Sequence, residues 1–280
     1  MDSLSAIIIT YNEERNIARC IDALQPIADE IIVLDSYSSD NTVAIAKNHG
    51  ALVKQGFFQD YIQQKNAAIA LATHDLVFSV DADELPDETL IQSIISLKKN
   101  PSANAYSMNR CTNYCGQFIR RGSWYPDRKT RIFNRRIARW AGVNPHERLD
   151  LDPGTTVTHL RGDLLHYSFP TLESHIEKNN RYSSMAAQSM YGAGRRSGWF
   201  KMLINPAWAF FHGYIIRLGW LDGYRGFSIA LNTAHGTFLK YLKLYHLQQQ
   251  PPVIAKPGTQ VLSPQTTHEA SKKMAASEGQ

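Results

Sequence analysis

The chain has 280 residues, 43% of them hydrophobic, which is ample for a packed core, and a formal net charge of +5 that favours anionic partners such as phosphates, acidic lipid or nucleic acid. Its three cysteines, Cys20, Cys111 and Cys115, are too few and too unevenly placed for a disulfide framework, and Cys111 with Cys115 has no second pair or nearby histidine to complete a zinc site. A reducing compartment follows, and the apolar start at 6–9, with no basic stretch before it, is too short for a signal peptide or a membrane span.

"LSAIIIT" is continuous and β-branched and reads as a first strand, whereas "EERNIARCIDAL" places Ile17, Ile21 and Leu24 on one helical face, with Asn12 available as a cap. "EIIVLD" repeats the strand signal. "SDNTVAIAKNHG" reads as a helix capped at Asp40 and ending at Gly50, and "ALVK" as a third strand. A helix through "QQKNAAIALA" leads to a fourth strand in "DLVFSV". "PDETLIQSIISL" then opens a helix with Pro86 and carries Leu90, Ile91, Ile94 and Ile95 at helical spacing. Alternating elements with unbroken apolar strands predict an α/β fold, a Rossmann-like, mostly parallel sheet flanked by helices.

Ligands of such sheets bind beyond the carboxyl ends of the strands. That rim receives "TYNEE" from the first strand, Asp35 from the second, and Asp81, Ala82 and Asp83 from the fourth, with Glu84 next in line. Turn formers around an N-cap account equally for "SYSSDNT", and a solvated turn for the acidic cluster. Carboxylates this close repel, however, and a hard divalent cation, Mg²⁺ or Mn²⁺, with phosphate oxygens completing its shell, is an economical partner. The predicted chemistry is one in which a diphosphate leaves and a metal neutralises the developing charge. A nicotinamide enzyme fits less well, because the only glycines before Cys115 are Gly50 and Gly56, too few for a pyrophosphate loop.

"AIIITYNEERNI", "IIVLDSYSSDNTVAIA", "QKNAAIALATHDLVFSVDADE", "RIFNRR" and "NPHERL" together resemble the family 2 inverting nucleotide-sugar glycosyltransferases, over roughly residues 4 to 170. The resemblance implies the GT-A fold, and it is nearest to the bacterial branch that adds β-glucose to the inner-core heptose of lipopolysaccharide. It implies a UDP-sugar donor held by Thr10, Asn12, Glu13, Asp35, Lys65, Asp81, Arg128 and Arg131, with Asp35 on the uracil or ribose. Asp81 and Asp83 match the DxD pair that holds ribose and metal-diphosphate. The glycine that follows the strand-two aspartate and serine in that family is Tyr37 here.

An inverting transfer needs a base for the acceptor hydroxyl. By the resemblance that base is Glu147, with His146 orienting it or the acceptor; pairing of Glu147 with Arg148 is the commoner fate of such a glutamate, and Asp150 and Asp152 are substitutes. In "WYPDRKTRIFNRRIARW", Arg128 and Arg131 suit phosphate oxygens, while Arg135 and Arg136 suit a solvated basic face. No recognisable nucleic-acid module accompanies them.

From 195 to 247 tryptophan, tyrosine and phenylalanine mix with arginine and lysine, and the longest apolar run, 207–216, is broken by His212. Such a stretch is too short to span a bilayer; it suits helices lying in a membrane interface, and equally a core helix pair closing the catalytic domain or a dimer interface. The expected layout is a catalytic domain at 1–170, a helical aromatic and basic region at 171–248, and a disordered tail at 249–280. The expected place is the cytoplasm, peripherally on the inner face of a bacterial cell membrane, with a lipid-linked saccharide as acceptor. A DxD-type phosphohydrolase and a non-catalytic, membrane-bound nucleotide-binding scaffold are the rivals; the pair of such a phosphohydrolase usually ends the first strand, whereas Asp81 closes the fourth.

Overall fold

The computed structural model describes residues 2–143 and 146–250, apart from the side chains of Val143 and His146. Four parallel strands form its base: β1 (Leu4–Thr10), β2 (Glu30–Asp35), β3 (Leu52–Gln55) and β4 (Leu76–Asp81), side by side in the order β3-β2-β1-β4. They are joined by α1 (Ile17–Leu24), α2 (Thr42–Asn48) and α3 (Tyr61–Leu71). Neighbouring residues of one strand feed opposite faces of the sheet. Ile8 packs with Ile17, Ile21, Phe78 and Ile94, and Ile7 with Ile32, Ile69, Val77 and Trp140. The chain leaves β1 toward β2 and β3, then returns to place β4 on the other flank of β1. Its switch point is therefore the rim between β1 and β4.

Past β4 the sheet is mixed. β5 (Glu84–Pro86) is followed by α4 (Glu88–Lys99), β6 (Ala105–Tyr114), β7 (Gln117–Phe118), β8 (Asp127–Asn134), the hairpin β9 (Ala138–Val143) and β10 (His146–Leu151), and the long β11 (Val157–Phe169). β8 runs antiparallel to both β4 and β6, while β11 lies parallel to β6 and antiparallel to β5. β5 starts three residues after β4 ends, yet it sits four strands away along the sheet order, so the sheet must curl. The curl is closed by backbone bonds from Tyr167 N to Asp83 O and from Asp87 N to Asp163 O, both 2.9 Å. Its consequence is that the last strand ends beside the acidic turn after β4.

The remaining chain is helical: α5 (Leu172–Gly192), α6 (Trp199–Phe211) continuing into a π-helical turn at His212–Ile216, and α7 (Gly223–Gln249). No described helix is long and apolar enough to cross a membrane. The expected tail begins inside α7 at Gln249, and 251–280 lies outside the described residues.

Three local expectations change. Asn12 does not cap α1, which starts at Ile17 after an Asn16 that makes no side-chain cap bond. Asn12 sits at φ 54°, and its carboxamide oxygen accepts from Ser39 N at 2.8 Å, tying the β1–α1 loop to the β2–α2 loop. Pro86 ends β5 instead of opening α4; Asp87 caps that helix by accepting from Leu90 N. α2 begins after Asn41, although Asp40 does accept from Thr42 N at 3.0 Å.

Candidate active site

Asp81 closes β4, and the next two carboxylates follow it into the turn. The structure gives each a different partner. Lys65, buried on α3, places Nζ 3.2 Å from Asp81 Oδ1, and Arg131 Nη2 lies 3.1 Å from Asp81 Oδ2. Burial alone would raise the Asp81 carboxyl, but these two cations outweigh it and hold the group well below the usual carboxylate range. Glu84 is fully buried; Arg131 Nη2 reaches it at 2.8 Å and Arg110 Nη1 at 3.5 Å. Burial would lower the Arg131 pKa, yet Glu84 and Asp81 push it above its ordinary value, as expected for a desolvated guanidinium between two carboxylates.

Asp83 differs. Its side-chain partner is His166 of β11, Nε2 to Oδ2 3.3 Å, and both residues line a cleft of about 480 Å³ at the β1–β4 switch point. Among the described residues no three histidine, cysteine or acidic side chains converge to hold an ion by themselves. A hard cation here would take Asp83 and His166 and draw its other ligands from a bound diphosphate, which is how Mg²⁺ and Mn²⁺ commonly sit in phosphate sites. The wall fits such a guest: Thr10 Oγ1 and His166 Nδ1 are buried without a hydrogen-bond partner. Glu13 lies on the same wall, its carboxyl raised by burial, eased by the Asn16 carboxamide and pushed further by Asp83.

Glu147 enters from β10, whose pairing with β9 places it opposite Gly142. Its Oε1 is 3.5 Å from Lys65 Nζ, so one ammonium stands between the strand-end Asp81 and Glu147, 4.5 Å from the centre of the Trp140 ring. Asp150 is bonded to Arg148 at 2.7 Å, and neither it nor Asp152 reaches the cleft. The side chain of His146 lies outside the described residues.

Of the expected donor residues, Thr10, Glu13, Lys65 and Asp81 line the cleft with Asp83 and Glu147. Arg131 sits just beneath it. Ser107 pairs with Thr130 and Tyr106 with Ile132, so Arg131 is the extra residue of a bulge, turned inward under Asp81. Three expected residues are absent from the wall. Arg128 is exposed on β8, where it adds to burial in lowering the His159 pKa. Asn12 is committed to the loop bridge described above. Asp35 is fully buried and accepts from Ser38 N at 3.0 Å, from the Ser38 hydroxyl and from Gln55 Nε2 at 2.9 Å, so it braces the loop from which Ser36 reaches the cleft. Tyr37, which stands where the resembled family has glycine, adopts φ 60° and packs at a tilt against Phe57, ring centroids 4.6 Å apart; the loop keeps the left-handed turn that glycine would take freely.

His166 and Lys178 of α5 were not foreseen. No periodicity marks them, because they arrive through the curl and through a helix packed on its end. Lys178 Nζ donates to Ser168 O at 2.7 Å, and burial lowers its pKa. Lys178 and Tyr182 also line a second cleft of about 510 Å³ between the sheet and α5 and α7, with Arg110, Trp124, Phe169 and Lys240.

A mixed α/β sheet with a ligand cleft at its switch point and paired strand-end carboxylates is the architecture of a sugar-nucleotide transferase of the GT-A kind. The chain belongs to glycosyl transferase family 2, whose sequence model matches residues 5–149. An uncharacterised glycosyltransferase of Rickettsia prowazekii is 32% identical over 88% of each chain. A lipopolysaccharide core biosynthesis glycosyltransferase, LpsC of Rhizobium meliloti, is 27% identical over 86% of this chain and 92% of its own length. A solved mannosyltransferase of Pyrobaculum calidifontis shares the fold, with a TM-score of 0.51, 15% identity and coverage of 89% and 88% of the two chains.

Proposed function

We propose that this transferase is an inverting hexosyltransferase that moves a sugar, glucose from UDP-glucose in the first instance, to a core heptose of lipopolysaccharide or a similar lipid-linked glycan at the inner face of a bacterial cell membrane. The observation that carries the reading is the division of labour among the carboxylates. Asp81 and Glu84 are neutralised by fixed cations, Asp83 faces the cleft beside His166, and Glu147 stands across Lys65. The Rhizobium relative named for lipopolysaccharide core biosynthesis supports the acceptor class, and the Pyrobaculum enzyme, solved with GDP-Man and Mn²⁺, supports a nucleotide-sugar donor with a divalent cation.

In this reading the diphosphate of the donor lies over Asp83 and His166, and a divalent cation held there would offset charge on the leaving group. Thr10 and Ser36 line the donor side of the wall. The acceptor occupies the second cleft, where Trp124 and Phe169 offer apolar faces and Lys178 and Lys240 offer charge to phosphorylated sugar, Arg110 being taken by Asp127 and Glu84. Its hydroxyl oxygen attacks the anomeric carbon as the bond to the diphosphate breaks, and its proton passes to a Glu147 Oε atom. Lys65 holds that carboxylate in place before the transfer.

A nucleotide-sugar panel with and without Mn²⁺, scored for donor hydrolysis and for transfer to membrane lipid extract, tests the assignment. Glu147→Gln should bind donor nearly as well as the parent while transfer falls by about 10²- to 10⁴-fold, since a general base acts on the acceptor. Asp83→Ala should lose the Mn²⁺-dependent part of UDP binding by calorimetry. Phosphatase turnover with an acylphosphate intermediate would instead support the phosphohydrolase reading, and tight nucleotide binding with no turnover on any donor would support the scaffold.

A further inference from the structure

Residues 195–221 contain four cations, Arg195, Arg196, Lys201 and Arg217, and no acidic residue. The same segment carries a dense set of exposed large apolar side chains. On α6 only Met202 is buried, while Trp199 and Phe200 are 72% and 76% exposed, and Leu203, Ile204, Trp208 and Phe211 follow at three- and four-residue steps on the same side. Ile215, Ile216 and Trp220 in the following turns, and Tyr224 and Phe227 at the start of α7, continue the exposure. Isolated exposed apolar residues are ordinary on a surface; a contiguous run with aromatics and a cationic rim is not.

Charge decides between occupants. A symmetric pairing of two copies through this face would set the same four cations against themselves, and the one carboxylate within the face, Asp222, already accepts from Arg121 N. An anionic bilayer satisfies both halves of the surface, aromatic and aliphatic groups entering the headgroup boundary while arginine and lysine meet lipid phosphates. The face is also tied to the second cleft. Gly122 N donates to Arg217 O at 2.9 Å and Arg217 Nη2 donates to Tyr125 O at 3.2 Å, and the segment so held carries Ser123 and Trp124 of the cleft wall.

We propose that the face formed by α6, the π-helical turn and the start of α7 docks in the plane of an anionic membrane and holds the second cleft at the lipid surface. Docking deepens the reading of a lipid-linked acceptor, but it is measured without donor, acceptor or turnover, so the two stand or fall separately.

The test is co-sedimentation of the full chain with phosphatidylcholine vesicles and with mixed phosphatidylcholine and phosphatidylglycerol vesicles at low and high salt. The parent should bind the mixed vesicles, more weakly at high salt, with a blue shift in tryptophan emission. The combined variant Trp199→Ser, Phe200→Ser and Trp208→Ser should lose binding by an order of magnitude or more. Because the three side chains are mostly solvent-exposed, its melting temperature and UDP binding should match the parent. Arg195→Glu with Arg196→Glu should abolish the preference for phosphatidylglycerol. Failure of the parent to bind mixed vesicles would overturn the proposal. So would equal binding to both vesicle types, or a concentration-dependent dimer that the triple variant disrupts.

Discussion

His175, on the wall of the second cleft, shows how one buried side chain sets a pH dependence of stability. It is 5% exposed, its Nδ1 lies 3.1 Å from the Tyr114 hydroxyl, and it packs edge-on to Tyr114, Trp124 and Phe169. Burial, assisted by the Lys178 ammonium, pushes its pKa down to about 4. As pH falls below about 6.5 the unfolded chain takes up a proton that the folded chain refuses until about pH 4. Stability from this group is therefore complete above that upper value, lost through the window and constant beneath it, a loss of about 3 kcal/mol between pH 7 and pH 4. His175→Phe fills the same aromatic box without a titrating group. Urea unfolding at the two pH values should show the parent's difference shrink by about that amount, and an unchanged difference would place the titration elsewhere. At this scale the sequence was informative where chemistry follows strand ends: Asp81, Asp83, Glu13 and Thr10 could be placed on one rim from the alternation alone, and the structure puts them on one cleft wall. It was uninformative for Asp35 and Arg128, because burial of a strand-end carboxylate and the face of a strand residue depend on neighbours that no short window contains.

Between elements, the decisive contact is the approach of β11 to α4. Gly162 has φ +100°, and a Cβ there would overlap the Leu90 backbone at the first turn of α4, where Asp87 caps the helix. The register of β11 against β6 shifts around the same point, between His159 and Asp163. This irregularity lets the strand bend over the helix and still deliver Asp163 O to Asp87 N and His166 to Asp83. Gly162→Ala combines a disfavoured backbone conformation with a clash against main chain, and it should cost about 3 kcal/mol or more. In a chain of this size that corresponds to a fall of roughly 6–12 °C in melting temperature. A melting curve within a degree or two of the parent would mean that β11 can slide without consequence. The first four strands and helices were legible because all but the mostly exposed β3 bury a face within a short window. β6 to β11 were not, since their edges are satisfied by distant partners, and the Arg131 bulge is visible only once β6 and β8 are paired.

For the molecule as a whole, the question is how the helices after β11 relate to the sheet. We propose that residues 1–170 form the catalytic unit and that 171–248 complete it. α5 and α6 each pack extensively on α7, while the sheet meets this helical group through a small cluster of Tyr114, Ile119 and Ile229 with Trp124 and Phe169 against it. A few polar ties add to this: Arg225 Nη2 donates to Cys115 O at 2.9 Å, Arg121 N to Asp222 Oδ2 at 3.0 Å, and Lys178 to Ser168 O. Among the described residues the first cleft takes its walls from residues up to Ser168, with only Lys178 and Tyr182 coming from α5 to α7, whereas the second cleft needs α5 and α7 for most of its lining. A chain ending at Pro170 should therefore keep Mn²⁺-dependent UDP binding, weakened by about tenfold for the lost Lys178 charge, which is of the size expected for one charge-assisted contact. It should lose transfer to lipid acceptor altogether and should no longer sediment with anionic vesicles. Calorimetry and the transfer assay separate the outcomes. Loss of nucleotide binding with an intact melting transition would mean that Lys178 and Tyr182 hold the donor and that the second cleft is an extension of the first. Retained transfer would move the acceptor to the β9–β10 side of Glu147 and leave the second cleft without a role in the reaction.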